Sequence, residues 1–285
     1  MQLSPATFEQ IRRAIHAICG LVISDDKEYL VRDRLGPLLR ERGLASFEDL
    51  SRCLQAGWDD RFIEAVIDAV TTRETSFFRD THVYQALATE LLPRLVAERN
   101  PPGRPIRIWS AGTANGQEAY SLAMLTQELV QASAPDPSRQ PVFSILASDI
   151  SAAALRVAQN GEYDARDLAR GVGAARKTRF FQCDKNIYSV KPAVRKLVEF
   201  RQVNLCQPFT GLGTFDLICC RNVLIYFDVA TRQQICQGFH GALRDGGWLL
   251  LGTAENLYGI ATNFESVKFG EALVYRKLPG PNRAL

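Results

Sequence analysis

The sequence predicts an α/β protein: a doubly wound, mostly parallel sheet that follows an all-helical N-terminal domain and carries a small inserted β-subdomain. Three observations predict it. Over roughly the first hundred residues the apolar positions recur at helical spacing, with no strand pattern among them. From Ile106 onward short apolar runs alternate with helical stretches, the signature of βαβ units. Between the second and third of those runs lie nearly forty residues, Asn160 to Leu197, far more than a simple crossover uses.

In chain order, Ser4 and Pro5 open a helix on which Phe8, Ile11, Ile15 and Ile18 share a face and which Gly20 stops. A second helix is expected over Glu28 to Arg42, ending at Gly43. Ser46 with Asp49 has the form of a capping box for a third, and Asp59 or Asp60 opens a fourth carrying Phe62, Ile63, Val66, Ile67 and Val70. After the polar, aromatic stretch TTRETSFFRD (Thr71 to Asp80), a further helix carries Val83, Leu87, Leu91 and Leu95, and NPPGRP (Asn100 to Pro105) breaks the chain. The expected strands are IRIWSAG, FSILASDI, VEFRQVNL, FDLICCRN and GGWLLLGTA, with a last pair near ESVKF and ALVYRKL. The expected divisions are a helical domain over 1–88, a linker helix and loop over 89–105, and a sheet domain over 106–285 with an insertion at about 160–198.

Composition narrows the function classes. Of 285 residues, 46% are hydrophobic and 23% charged, which excludes fibrous and disordered chains. Thirty-four Lys and Arg against thirty-one Asp and Glu leave a net charge of +3, too mild to argue for nucleic acid or an anionic membrane. The seven cysteines (19, 53, 183, 206, 219, 220 and 236) show neither zinc-knuckle nor redox spacing and read as reduced thiols; no metal site is expected. MQLSPATFEQIRRAIH lacks the apolar core of a signal peptide, and no run is long enough to cross a bilayer, so a cytoplasmic location is expected.

The segment AGTANGQEAYS (Ala111 to Ser121) is a strand, a Gly-containing turn and a helix start, a device that brings backbone amides close to a nucleotide-like cofactor; alone it reads equally as a tight βα turn. The next strand ends in Asp149, where a carboxylate at the carboxyl edge of a parallel sheet can accept from both hydroxyls of a ribose, or can cap the helix that follows. Two more strands are expected to end at Asn204 with Leu205 and at Arg221 with Asn222, so four strand ends converge on one crevice.

The order and wording of TTRETSFFRD, RIWSAGTANGQEAYSLAM, ASDI, VNL and FDLICCRNVLIYF, over about 270 residues, resemble the chemotaxis receptor methyltransferases (CheR-type). The resemblance implies a Rossmann-like fold and transfer of a methyl group from S-adenosylmethionine to receptor glutamates, leaving S-adenosylhomocysteine. It assigns Thr75 and Arg79 to the methionyl end of the cofactor, Glu118 to its amino group, Asp149 to the ribose and Asn204 and Leu205 to the adenine. Arg221 and Asn222 become a further wall of the site. Tyr226 matches the family's active-site tyrosine and, with Arg79, is the expected catalytic pair. Two positions depart from the family pattern: Arg73 stands where it usually has Asn among the cofactor contacts, and Ala119 where it usually has Pro. A permanent cation cannot reproduce an amide that donates and accepts; either the contact is changed or Arg73 turns to solvent.

Methyl transfer to a carboxylate needs no catalytic base, since the nucleophile is ionised near neutral pH. This agrees with three histidines, His16, His82 and His240, of which none lies in a motif. The resemblance implies docking on the helical cytoplasmic region of chemotaxis receptors through the second helix, which carries Arg32, Arg34, Arg40 and Arg42 offset by Glu28, Asp33 and Glu41. The insertion resembles a subdomain that in some members grips a C-terminal peptide tether with a longer glycine-containing loop. Here only FFQCDKNIY (Phe180 to Tyr188) stands in that place, so docking without the tether is expected. Two alternatives remain from the residues alone: a methyltransferase acting on another protein or on nucleic acid, and a non-catalytic cofactor-binding regulator.

Overall fold

The computed structural model describes residues 2–57, 59–98, 104–132 and 140–279; of the NPPGRP break only Arg104 and Pro105 fall among them. Helix α1 (Pro5–Cys19) begins where the Ser4 side chain accepts the Thr7 amide, and stops at Gly20. A single 3₁₀ turn (Asp25–Lys27) leads into α2 (Glu28–Glu41). At α3 (Phe47–Ala56) Ser46 accepts from the Asp49 amide, but the Asp49 carboxylate reaches back to the amide of Ala45, one residue further than a capping box requires. Asp59 caps α4 (Asp60–Val70) through the Phe62 amide at 2.9 Å. Phe8, Ile11, Ile15, Leu35, Leu39, Phe47, Leu50, Phe62 and Val66 bury together as one helical core, each fully buried side chain contributing about 1.5–3 kcal/mol.

A rod of helix follows: α5 (Thr81–Ala86), a π turn (Leu87–Leu91) and α6 (Leu92–Glu98). The π turn lies just before Pro93, which has no N–H to continue an α-helical ladder. The expected boundary at residue 88 falls inside this rod, and Val83, Leu87, Leu91 and Leu95 bury in the core of the sheet, not in the helical core. An apolar stripe at helical spacing shows that a face is buried but does not name its partner.

The sheet domain runs β1 (Ile106–Ala111), α7 (Gln117–Ala132), β2 (Phe143–Asp149) and α8 (Ala152–Asn160). The insertion comes next, with β3 (Glu162–Asp164), α9 (Ala165–Ala169), α10 (Ala174–Phe180), β4 (Phe181–Asp184), β5 (Ile187–Val190) and α11 (Pro192–Arg195). Then follow β6 (Val198–Gln202), β7 (Phe215–Cys220), a 3₁₀ turn (Leu224–Tyr226), α12 (Val229–Ala242), β8 (Leu243–Leu251), β9 (Phe264–Phe269) and β10 (Ala272–Lys277). The central sheet has the order β6-β2-β1-β7-β8-β10-β9. Its first five strands are parallel, and β10 and β9 close it antiparallel. Neighbouring residues of β1 serve opposite faces: Ile108 packs toward the rod and α7, Trp109 toward α12. Both faces are covered, so the strands read as unbroken apolar runs. The insertion forms its own antiparallel sheet, β3-β5-β4, seated on Phe77 through Tyr163 and Phe181.

Two strands stop short of the expected ends. Strand β6 ends at Gln202 because the Asn204 carboxamide oxygen accepts the amide of Cys206 and bends the chain, placing Asn204 and Leu205 in a turn. Strand β7 ends at Cys220, since Asn222 adopts a φ of 59°, which no strand residue has. Strand order reverses between β1 and β7, where doubly wound sheets hold their ligands. The helical domain docks across that edge. Asn204 donates to the Ile18 carbonyl at 2.9 Å, the Val22 amide to the Tyr226 carbonyl at 2.9 Å, and Ser151 Oγ to Asp68 at 2.6 Å.

Candidate active site

At the carboxyl ends of β1, β2, β6 and β7 a cleft of about 980 Å³ opens, walled on its outer side by Cys19, Leu21, Thr71 and Thr72. Its lining includes Thr75, Arg79, Glu118, Asp149, Asn204, Leu205, Arg221, Asn222 and Tyr226. Of the ten site residues named from the sequence, only Arg73 is missing from it. The backbone passes the cleft, with Thr72 and Glu74 on its wall, but the exposed Arg73 side chain turns away and donates to the Asp68 carbonyl at 3.1 Å.

The floor is the turn after β1. Gly112, at φ 78°, lies so close to Val223 that a Cβ would stand 2.4 Å from its Cγ2, and Gly116, at φ 90°, meets Ala158 in the same way at 2.7 Å. Side chains are excluded there, so backbone is what faces the cleft. Asp149 accepts the Ala114 amide at 2.8 Å with one oxygen and the Ser151 amide at 2.9 Å with the other. The cap of α8 is Ser151, not Asp149. Each carboxylate oxygen keeps a lone pair, and burial pushes the Asp149 carboxyl above the ordinary aspartate range, against the pull of the amides that bond it.

Behind the cleft the Arg221 guanidinium is almost fully buried. It donates to the Asp80 carboxylate at 2.7 Å, the Arg79 carbonyl at 2.8 Å and Glu118 at 3.3 Å, and lies over the Tyr84 ring. Burial pushes the Glu118 carboxyl up, with Arg221 opposing that shift. Ser110 Oγ completes its bonding at 2.8 Å. This network fixes TSFFRD: Phe78 sits at φ 50°, a conformation that a bulky residue holds only when its surroundings require it, and Asp80 follows at φ 60°. Arg79 is thereby presented at the cleft, bonded only weakly to the Glu74 carbonyl at 3.5 Å.

Residues 6–71 match the all-alpha domain of the CheR methyltransferase family, and residues 73–273 match its SAM-binding domain. A chemotaxis protein methyltransferase of Vibrio parahaemolyticus is 40% identical over 275 residues, 96% of this chain and 98% of that protein. Chemotaxis protein methyltransferase 1 of Vibrio cholerae is 39% identical over the same shares of both chains. Chemotaxis protein methyltransferase 1 of Pseudomonas aeruginosa is 36% identical over 277 residues, 97% of this chain and 99% of that one. The chain belongs to the CheR methyltransferase family.

The cofactor of this family is S-adenosylmethionine, and the cleft suits it. Of seven buried side-chain polar atoms without a hydrogen-bond partner among the described residues, five lie at this edge: Thr113 Oγ1, Asn115 Oδ1, Gln117 Oε1, Arg221 Nε and Asn222 Oδ1. Unpartnered polar atoms are costly to bury and concentrate where a bound molecule completes them. Sequence reasoning missed three contributors to the site. Cys19 and Leu21 come from the helical domain, and no local signal announces them. Glu255, just after β8, accepts three backbone amides of the turn carrying Asn222 and Tyr226 and a fourth from Gly252; it is an acid just past the end of a parallel strand, a signal close to the one that singled out Asp149.

Proposed function

We propose that this chain transfers a methyl group from S-adenosylmethionine to glutamate side chains in the helical cytoplasmic region of chemotaxis receptors, forming glutamate methyl esters and S-adenosylhomocysteine. The observation that carries this reading is the meeting of Arg79, Glu118, Asp149, Asn222 and Tyr226 in one cleft of a chain of this family. The bound cofactor supplies an electrophilic methyl group. What the protein must supply is orientation, worth several kcal/mol when the reacting atoms are aligned, and a measured replacement of the water around the incoming carboxylate.

Each residue has a role suited to its chemistry. Asp149 offers its free lone pairs to the ribose hydroxyls, and Asn204 with Leu205 borders the adenine. Thr75 and Arg79 hold the methionyl end, where a guanidinium suits a carboxylate; Glu118 accepts from the amino group, while Arg221 and Asn222 back the site. Tyr226, half-buried in the wall, donates its phenol to one oxygen of the substrate glutamate and leaves the other free to attack. No proton has to be removed from the nucleophile, and none of these residues is asked to act as a base.

Docking without a peptide tether is part of the proposal. The β4–β5 hairpin closes through Lys185 and Asn186 alone, at φ 47° and 69°, a tight turn with no loop to wrap a peptide. On α2, Arg32 and Arg40 are exposed to a partner, whereas Arg34 is spent on the Val70 carbonyl at 2.7 Å. Because the receptor region is cytoplasmic, so is the site of action; among the described residues no helix is long and apolar enough to cross a membrane.

The test uses cofactor carrying a labelled methyl group and receptor-containing membranes. The expected result is label that alkali releases as volatile methanol. Alkali-stable label would point to a nitrogen or nucleic-acid acceptor, and cofactor binding without labelling would make the chain a regulator.

A further inference from the structure

Glu255 follows β8 in the sequence GTAEN and is only 9% exposed. Its Oε2 accepts the amides of Asn222 at 2.7 Å and Gly252 at 2.8 Å, and its Oε1 those of Val223 at 3.0 Å and Ile225 at 3.2 Å. Three of these four donors belong to the turn that carries Arg221, Asn222 and Tyr226, and that turn holds Asn222 at a φ of 59°. The carboxylate itself is not on the wall of the cleft, whereas Asn222, Val223, Tyr226 and Phe227 are.

We infer that Glu255 is a positioning residue: it gathers the amides of the 222–225 turn around one buried carboxylate and so fixes where the Tyr226 phenol stands in the cleft. The inference rests on the methyl-transfer reading, since Tyr226 is the residue through which Glu255 acts. The geometry needs an anion with two equivalent oxygens. Four donors arrive in two pairs, one pair on each oxygen, and only a carboxylate accepts at both ends. A glutamine has one accepting oxygen; its amide group would turn donors toward the second pair, and one side of the turn would open. The Val22 amide holds the Tyr226 carbonyl from the helical domain, so the tyrosine is anchored at its own backbone while its amino-side neighbours are anchored by Glu255.

The test is a double-substitution cycle on receptor methylation, with affinity for S-adenosylhomocysteine measured by titration calorimetry. E255Q is expected to lower kcat about tenfold or more while changing that affinity by less than about threefold. Y226F should also lower kcat, and E255Q/Y226F should be no slower than the slower single variant, because a misplaced phenol and an absent one are the same loss. If E255Q does not fold, G252A approaches the same carboxylate from outside: a Cβ there would stand 2.7 Å from Glu255 Oε2 and 2.8 Å from the Asn222 nitrogen. It should show the same kcat loss and the same lack of additivity with Y226F. Wild-type turnover in E255Q and G252A, or rate losses that multiply in the double variants, would overturn the inference. A wild-type chain that binds S-adenosylhomocysteine yet labels no receptor would instead remove the methyl-transfer reading, and this inference with it.

Discussion

The two ends of the central sheet bury charge in opposite styles, within one strand length of each other. At the amino end, Asp216 on β7 accepts both terminal nitrogens of Arg104, at 2.9 and 2.6 Å, and the Arg107 amide at 2.8 Å. Its oxygens are occupied, and the bidentate arginine pins the entry to β1 against β7. At the carboxyl end, Arg221 holds Asp80 and Glu118 with a nitrogen left over, and around it stand Phe78, Asp80, Ala114 and Asn222, all at positive φ. Of six non-glycine residues in that conformation among the described residues, Ala114 and Asn222 line the cleft, Phe78 and Asp80 flank Arg79, which lines it too, and the other two make the β4–β5 hairpin. Positive-φ side chains and five of the seven unpartnered buried polar atoms gather at one end of the sheet, whereas among the described residues the Asp216 cluster leaves only Arg244 Nε without a hydrogen bond. That asymmetry is the mark of a ligand site, and not of a purely structural ion pair.

Substitution separates the two ends most sharply. Replacing Arg221 by alanine leaves Glu118 and Asp80 without their cation, and a loss of about 3–5 kcal/mol in stability is expected, together with loss of S-adenosylhomocysteine binding. At the other end D216N keeps the shape but gives up charge-assisted bonds, for about 1.5–3 kcal/mol, with cofactor affinity unchanged below its melting temperature. Thermal unfolding with and without S-adenosylhomocysteine distinguishes them: the ligand should still raise the melting temperature of D216N and should not raise that of R221A. Equal responses would mean that the two clusters do the same job.

A smaller effect concerns pH. Burial raises the carboxyls of both Asp149 and Glu118, so in the free protein each takes up its proton at a higher pH than an exposed carboxylate. The sign for stability is the reverse of the usual salt-bridged acid: ionised, these groups cost the fold something above the raised pKa, and that cost is relieved as pH falls through it. Binding moves the other way, because ribose hydroxyls and an amino group need acceptors. Affinity for S-adenosylhomocysteine should therefore weaken as pH drops from about 7 to about 5, where ordinary carboxylates are still ionised. D149N should bind about tenfold more weakly at neutral pH and follow a flatter profile, keeping only the share due to Glu118. A D149N profile parallel to that of the wild type would take Asp149 out of the pH response.

The same contrast explains what could be read from the chain in advance. The βαβ alternation, the four N-terminal helices and the presence of an inserted subdomain follow from periodicity, segment length and local turn chemistry, which is why Ser4, Asp59 and Gly20 sit where a helix start or stop was expected. The ends of β6 and β7 did not follow: Val203 and Leu205 carry the apolar pattern past Gln202, where the Asn204 side chain turns the chain, and at β7 the expected strand takes in the polar Arg221 and Asn222 although the apolar run stops at Cys220 and Asn222 leaves the extended conformation. The cleft residues contributed by strand ends were legible because a parallel sheet carries its ligands at one edge. Cys19 and Leu21 were not, since they reach the cleft through docking of a separate core, and long-range packing leaves no spacing in the sequence. Glu255 was overlooked because it lies beyond the stretch that carries the family resemblance most densely.

The smallest effect is expected at Arg73, and it tests the comparison from the outside. The family pattern puts an asparagine there among the cofactor contacts, yet in this chain the neighbours Thr72 and Glu74 line the cleft while the Arg73 side chain points to solvent, tied to the end of α4 by one hydrogen bond to the Asp68 carbonyl. An exposed side chain with one replaceable bond contributes within about 0.5 kcal/mol of nothing to stability. R73N should thus leave the melting temperature in place and alter the S-adenosylhomocysteine affinity by less than about twofold. Tightening by tenfold would show that the asparagine reaches inward where the arginine does not, and that the replacement had weakened the site; unchanged affinity would show that the orphaned atoms around Asn222 and the Gly112 turn already define the contacts this cleft makes.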